Sequence, residues 1–204
     1  NGDGLDDVLD ALANENIRAL FHDSADNTWI GLYQDIIRNA QEDDASGSST
    51  TITRFTSADG LPNGAVTAIA ETTDGTLWFG TASGGLSSFD PDAPDNPTPW
   101  KTFTTQDGWP GAPIKNLAAH ADGSLWLATS DGLFHFDGTT FVAYQQADGL
   151  ATLATNSLWI TPGDATDIWV GTPDGVQRLD TSSVATYNAS DGLDPGTVTQ
   201  IAST

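Results

Sequence analysis

Asp59-Gly60-Leu61, Val66-Thr67-Ala68-Ile69-Ala70, Asp74-Gly75, Leu77-Trp78-Phe79-Gly80 and Leu86-Ser87-Ser88-Phe89 follow one another along the chain. Short runs of apolar, β-branched and aromatic residues alternate with turn dipeptides. Asp-Gly and Gly-Gly reverse the chain tightly because glycine accepts positive φ, so such a segment predicts an antiparallel meander. The same order recurs on both sides. Asp-Gly followed by Leu or Trp stands at Asp3-Gly4-Leu5, Asp59-Gly60-Leu61, Asp107-Gly108-Trp109, Asp148-Gly149-Leu150 and Asp191-Gly192-Leu193, the later copies 48, 41 and 43 residues apart. A period near 45 marks one supersecondary unit laid down repeatedly, and a single unit cannot bury a core alone.

Aligning the turns exposes the rest of the unit. Four residues before each of the last four stands an aromatic: Phe55, Phe103, Tyr144 and Tyr187. After each comes an apolar run, then a turn, then an apolar-Trp-apolar-small core: Leu77-Trp78-Phe79-Gly80, Leu125-Trp126-Leu127-Ala128 and Ile168-Trp169-Val170-Gly171, with Thr28-Trp29-Ile30-Gly31 as a weaker copy. Four strands per repeat at this period are the signature of β-propeller blades. The fold class is therefore all-β, about four blades plus one extra strand. The expected layout is an inter-blade turn with a short helical insertion at 1–15, blades at 16–56, 57–105, 106–145 and 146–188, and the first strand of a further blade at 189–204. The helical spacing of Val8, Leu9, Leu12 and Ala13 within Asp7–Arg18 carries the insertion. Innermost strands are expected at 16–22, 65–71, 113–119 and 154–160. The polar stretches Glu42–Ser49 and Pro91–Pro99 are expected to decorate the rim. Thr197–Thr204 repeats an innermost strand with nothing after it, so the expectation is a larger ring of which this chain is a part; an opening Asn and the lack of any Met agree with an excised piece.

Composition narrows function. Of 204 residues, 28 are acidic and six are Lys or Arg, a net charge of −22. Phosphate contacts need clustered cations, so nucleic acid is excluded as a partner and polyanionic glycans are disfavoured. Twenty-five of the acids are Asp, largely turn chemistry. The absence of Cys removes disulfides, thiol catalysis and zinc-thiolate sites. No run of 18 apolar residues marks a membrane segment. Acidity with few lysines suggests an exported or salt-adapted protein, and the expected location is extracytoplasmic: periplasmic, cell-surface or secreted.

The segment Val66–Thr81, followed by Gly85-Leu86 and Phe89-Asp90 and preceded by Asp59-Gly60-Leu61-Pro62, resembles the two-component regulator propeller repeat. The resemblance runs from about residue 15 to 204 and loosens in the first blade, where Asp26-Asn27 stands for Asp-Gly. It implies a seven-bladed ring with a ligand-binding role, often the extracytoplasmic sensor region of a two-component receptor responding to carbohydrate breakdown products. It carries over no catalytic residue, because the motif itself is structural.

Candidate sites follow. Trp29, Trp78, Trp126 and Trp169 sit between apolar neighbours and are read as packing between blades. Trp109 replaces Leu in its turn and is either a sugar-stacking ring or a larger plug in the Leu slot. With Lys115, His120 and Trp159 it makes up the candidate ligand site at a mouth of the channel. His22 also ends an inner strand. Asn1, Asp3, Asp7 and Asp10 match part of an EF-hand-like calcium loop around Gly4, but the same residues also read as one more copy of the repeat turn. No cofactor is expected otherwise. The expected function is non-catalytic recognition of a small glycan, a peptide or a partner protein. The alternatives are a surface or filament subunit assembling through exposed blade edges, and a propeller-fold polysaccharide lyase, for which six basic residues and three histidines are a poor supply.

Overall fold

The computed structural model describes residues 12, 15–44, 47–83, 85–91, 99–161, 167–180, 183–194 and 196–201, with only the backbone of 41–44 and 47–49. Four four-stranded antiparallel sheets follow one another in sequence. The first holds β1 (Ala19–His22), β2 (Thr28–Gly31), β3 (Ile36–Asp44) and β4 (Gly47–Phe55). The second holds β5 (Val66–Glu71), β6 (Leu77–Thr81), β7 (Leu86–Phe89) and β8 (Trp100–Phe103). The third holds β9 (Ile114–Ala119), β10 (Leu125–Thr129), β11 (Gly132–Phe136) and β12 (Phe141–Tyr144). The fourth holds β13 (Ser157–Ile160), β14 (Ile168–Thr172), β15 (Gly175–Leu179) and β16 (Val184–Tyr187). Strand order equals sequence order in each, so every sheet is a simple meander, and the inner strands β1, β5, β9 and β13 stand beside one another.

The Asp-Gly-Leu turns join the outer strand of one blade to the inner strand of the next. In three of them the Asp closes a short 3-10 turn. Asp107 accepts the Thr104 N–H at 2.9 Å, Asp148 the Gln145 N–H at 2.9 Å and Asp191 the Asn188 N–H at 3.0 Å. The following Gly108, Gly149 and Gly192 take φ of 86°, 104° and 95°, the left-handed region that favours glycine. The next residue then plugs the wedge between blades: Leu61, Trp109 and Leu150 are all buried.

Trp29, Trp78 and Trp126 are buried as expected, whereas Trp169 is half-buried, and the indole N–H groups of Trp29 and Trp78 are satisfied by the turn just ahead. Trp29 Nε1 donates to Asp23 Oδ2 at 2.6 Å, and Trp78 Nε1 to Thr72 Oγ1 at 3.1 Å. Trp78 and Phe103 meet Phe136 of the neighbouring blade at centroid distances of 5.6 and 5.0 Å. Aromatics bury large areas in this wedge, which is why each repeat supplies one.

Several boundaries differ from the sequence reading. Glu15–Arg18 carry no helix, and the remainder of the expected helical insertion, apart from Leu12, lies outside the described residues. The first inner strand starts at Ala19 and the fourth at Ser157. The described part of Glu42–Ser49 lengthens the outer hairpin of the first blade, while 92–98 of the other stretch expected at the rim lie outside the described residues. The β3–β4 ladder continues to Asp44↔Gly47, because the β-prone Ser48–Thr53 run extends the outer strand. Thr197–Ile201 carry no ladder, and 202–204 lie outside the described residues. The segment is nonetheless docked: Val198 N–H donates to Thr172 O at 2.9 Å, as Val66 N–H does to Leu32 O at 2.9 Å.

Candidate functional site

The meander sorts the turns onto two ends. One end carries the Asp-Gly-Leu turns, the starts of the inner strands and the turns between second and third strands. The other carries the hairpins after the inner strands and before the outer ones. Ligand sites in such a fold are built from loops and strand ends rather than from the repeat core.

At the Asp-Gly-Leu end, each inner strand leans on the second strand of the preceding blade. A Cβ added to Gly31 would lie 2.9 Å from Val66 Cγ1, one on Gly80 2.5 Å from Ile114 Cγ2, and one on Gly171 2.9 Å from Val198 Cγ1. That close approach explains the small residue ending every apolar-Trp-apolar core. In the third blade the position is Ala128, and there Thr155 N–H donates to Thr129 O at 3.0 Å.

One residue further along, polar side chains reach from blade to blade. Thr67 Oγ1 donates to Ile114 O at 2.6 Å. Lys115 Nζ donates to Asn156 Oδ1 at 2.8 Å, and Asn156 Nδ2 to Val198 O at 3.4 Å. In the first blade the place belongs to Arg18, whose N–H donates to Gly31 O at 2.8 Å just as Asn156 N–H donates to Gly171 O at 2.8 Å. Arg18, Thr67, Lys115 and Asn156 are therefore equivalent positions, a polar track across the inner strands. Of these, only Lys115 stands out in the sequence. Arg18 does not, because the first blade lacks the Asp-Gly-Leu turn that aligns the others; the spacing from Arg18 to Trp29, set beside Thr67 to Trp78, is the signal that marks it.

The four residues expected to form one ligand site are not brought together. Trp109 and Lys115 belong to the Asp-Gly-Leu end. Trp109 is 1% exposed, with Phe134 and Phe141 each 5.1 Å from its ring, so it fills the Leu slot and offers no face to a sugar. His120 ends its strand at the opposite end, buried, with Nδ1 2.6 Å from Asp122 Oδ1. His22 lies at that same end, exposed, 3.2 Å from Asp26 Oδ1. Trp159 is half-buried in β13, paired in register with Trp169. Burial holds the pKa of His135 below the ordinary histidine value, although Asp122 and Asp137 oppose it. Hydrogen bonds from Ser124, opposed by burial and joined by His120, hold Asp122 well below the usual carboxylate range. Asn1, Asp3, Asp7 and Asp10 lie outside the described residues; among the described residues no group of three or more His, Asp or Glu could hold a metal ion.

The fourth blade presents a face unlike the others. Trp169, Val176, Tyr187, Leu193 and Ile201 help to line a cavity of about 350 Å³. Their counterparts Trp126, Leu133, Tyr144 and Leu150 are covered by Leu158, Ile168, Val170 and Leu179 of the next blade. Leu193 is accordingly 40% exposed where Leu150 is 3%. No described helix is long and apolar enough to cross a membrane.

Residues 60–83 match the Two component regulator propeller family. No curated protein matches the sequence. Among solved structures, the chain is similar to the extracellular domain assigned to a hybrid two component system of B. thetaiotaomicron, with 25% identity and a TM-score of 0.73 over 90% of this chain and 24% of that one. A second extracellular domain from B. thetaiotaomicron, assigned to a one component system, gives 20% identity and a TM-score of 0.63 over 85% of this chain and 22% of that one. The WD40 β-propeller domain of Doa1 gives 11% identity and a TM-score of 0.59 over 90% of this chain and 57% of that one. The last two likenesses concern the fold alone. The chain spans about a quarter of the length of the two B. thetaiotaomicron domains. Four meanders of four strands and the shared turn-and-tryptophan plan agree: this chain is built of β-propeller blades, and its residues 60–83 match the two-component regulator propeller repeat.

Proposed function

We propose that this chain is part of a non-catalytic recognition module working outside the cytoplasm, in the sensing region of a two-component receptor, and that it takes a small glycan or peptide. The observation that carries the reading is the likeness, over 90% of the chain, to an extracellular domain assigned to a hybrid two component system. The polar track at the Asp-Gly-Leu end supports it, since it gathers side-chain donors on strand ends held by close inter-blade contact. The strongly acidic surface favours ligands with few negative charges over sulfated glycans or nucleic acid.

A thermal-shift screen of the chain against neutral oligosaccharides, uronate-containing oligosaccharides and short peptides tests the reading. A ligand that binds only the folded state raises Tm with its concentration. The expected result is a saturable rise with one ligand class and no product in the mixture by mass spectrometry. Formation of product, or no rise with any class, would sink the proposal.

A further inference from the structure

The placement of the cations in this acidic chain is informative. Of the six Lys and Arg, Arg54 pairs with Glu15 and Asp35, and Arg178 pairs with Asp167. Lys101 Nζ lies 4.5 Å over the Phe103 ring, and Asp107 feels its charge. Arg38 has its Nε buried. Neither Arg38 nor Lys101 is paired with a carboxylate among the described residues, and the same holds for Arg18 and Lys115. Arg18 and Lys115 are the two that occupy equivalent positions of the polar track, in the first and third blades, separated by one blade at Thr67.

Lys115 is held by the neutral amide of Asn156 rather than by an acid, which fixes its ammonium without neutralising it. Arg18 is exposed. The inner strands of neighbouring blades approach to within 8 Å between Cα atoms, β1 to β5 and β5 to β9, so Arg18 and Lys115 stand two such steps apart and a ligand between them must bridge the intervening strand. The acids of the same end stand in the turns between second and third strands, at Asp35, Asp131 and Asp174, and in the Asp-Gly-Leu turns themselves, with Glu15 paired to Arg54. They surround the two cations with negative charge, a field that admits one carboxylate and repels a polyanion.

We infer that Arg18 and Lys115 form a carboxylate-binding pair at the Asp-Gly-Leu end, so that the recognised ligand is a small molecule bearing a single carboxylate. The inference rests on the recognition reading above and names the ligand chemistry at that site. Arg18 supplies a planar fork that matches a carboxylate, and Lys115 supplies a positioned point charge. Thr67 takes no part in holding the ligand, because its hydroxyl hydrogen is already donated to Ile114 O.

The test is calorimetry and thermal shift on the wild-type chain with a galacturonate disaccharide, its methyl ester, and a tripeptide with either a free or an amidated C-terminus. Binding is expected for one of the two carboxylate probes and not for its neutral counterpart, which separates an acidic sugar from a peptide terminus. Arg18→Gln and Lys115→Met should each weaken that binding about tenfold, the scale of one hydrogen bond to a charged group, and raised salt should weaken it in wild type and less in the variants. Arg18→Gln is a surface change, so an unaltered Tm without ligand keeps the comparison valid even if Lys115→Met unfolds the chain. No binding by either carboxylate probe overturns the inference. So does equal binding of an acid and its ester, or binding that Arg18→Gln leaves unchanged. Binding of the ester or amide alone overturns the carboxylate inference while leaving the recognition reading intact.

Discussion

Replacing Gly80 by alanine tests the claim that small residues exist here to let blades touch. The new Cβ would lie 2.5 Å from Ile114 Cγ2, 3.1 Å from Ile114 Cβ and 3.4 Å from Ile114 Cδ1. Ile114 is fully buried, so its branched side chain cannot swing into solvent. Overpacking of this kind costs about 1–3 kcal/mol. Gly80 is not in the left-handed region, so alanine also gains about 0.4–1 kcal/mol by restricting the unfolded chain. The clash outweighs that gain, and the net expectation is a loss of about 1–2 kcal/mol. Ile114→Ala alone removes the clashing methyl but leaves a cavity costing about 2–5 kcal/mol. In the double variant the alanine at 80 has room, so its extra cost should vanish and the pair should couple by about 1 kcal/mol or more. Urea unfolding of the four proteins, with slopes compared, gives the cycle. If Gly80→Ala is neutral or stabilising, or the two changes simply add, the close approach of β6 and β9 is not what selects glycine. Ala128 marks where alanine is tolerated: its blade meets the small Thr155 rather than an isoleucine.

Other outcomes follow from the same packing. Thr72→Val leaves the buried Trp78 indole N–H without its acceptor and should cost about 1–3 kcal/mol, measured by urea unfolding; a neutral result would mean that another acceptor or water replaces the hydroxyl. Leu150→Ala should cost about 2–5 kcal/mol, whereas the equivalent Leu193→Ala should fall within about 0.5 kcal/mol, because its wedge is open; equal losses would contradict the open face of the fourth blade. Burial alone would raise the Asp23 carboxyl, but bonds from Trp29, Asn27 and Ala25 outweigh it and hold the pKa below the ordinary carboxylate value. A carboxylate depressed in the folded state contributes stability that is complete above about pH 4 and is lost as pH falls through the folded pKa. Asp23→Asn should therefore destabilise the chain at pH 7 and approach wild type below pH 4; a constant difference across that range in pH-dependent urea titrations would reject this role for the ionised group.

Much of the fold can be read in the sequence because its signals are local. The Asp of each Asp-Gly turn caps its own backbone three residues away, and the following glycine supplies a φ that other residues resist, so those turns declare themselves. The aromatic four residues earlier, ending each outer strand, is part of the same local frame. The β3–β4 extension is hidden because polar residues in a long hairpin read as a loop when there is no core to mark one face. Trp109 keeps two readings open because its residue type suits both; its neighbours Phe134 and Phe141 come from another pair of strands, and only packing brings them to it.

The sequence by itself determined the repeat, the strand order and the structural duty of the motif tryptophans, since turn chemistry and alternation act within a few residues. Tertiary structure alone decided which polar residues share a level. His120 and Lys115 lie five positions apart yet at opposite ends of one strand, while Arg18 and Lys115, in the first and third blades, hold equivalent places. The reason is geometric: a strand carries its residues steadily away from one end, and the stacking of blades returns the chain to that end once per repeat.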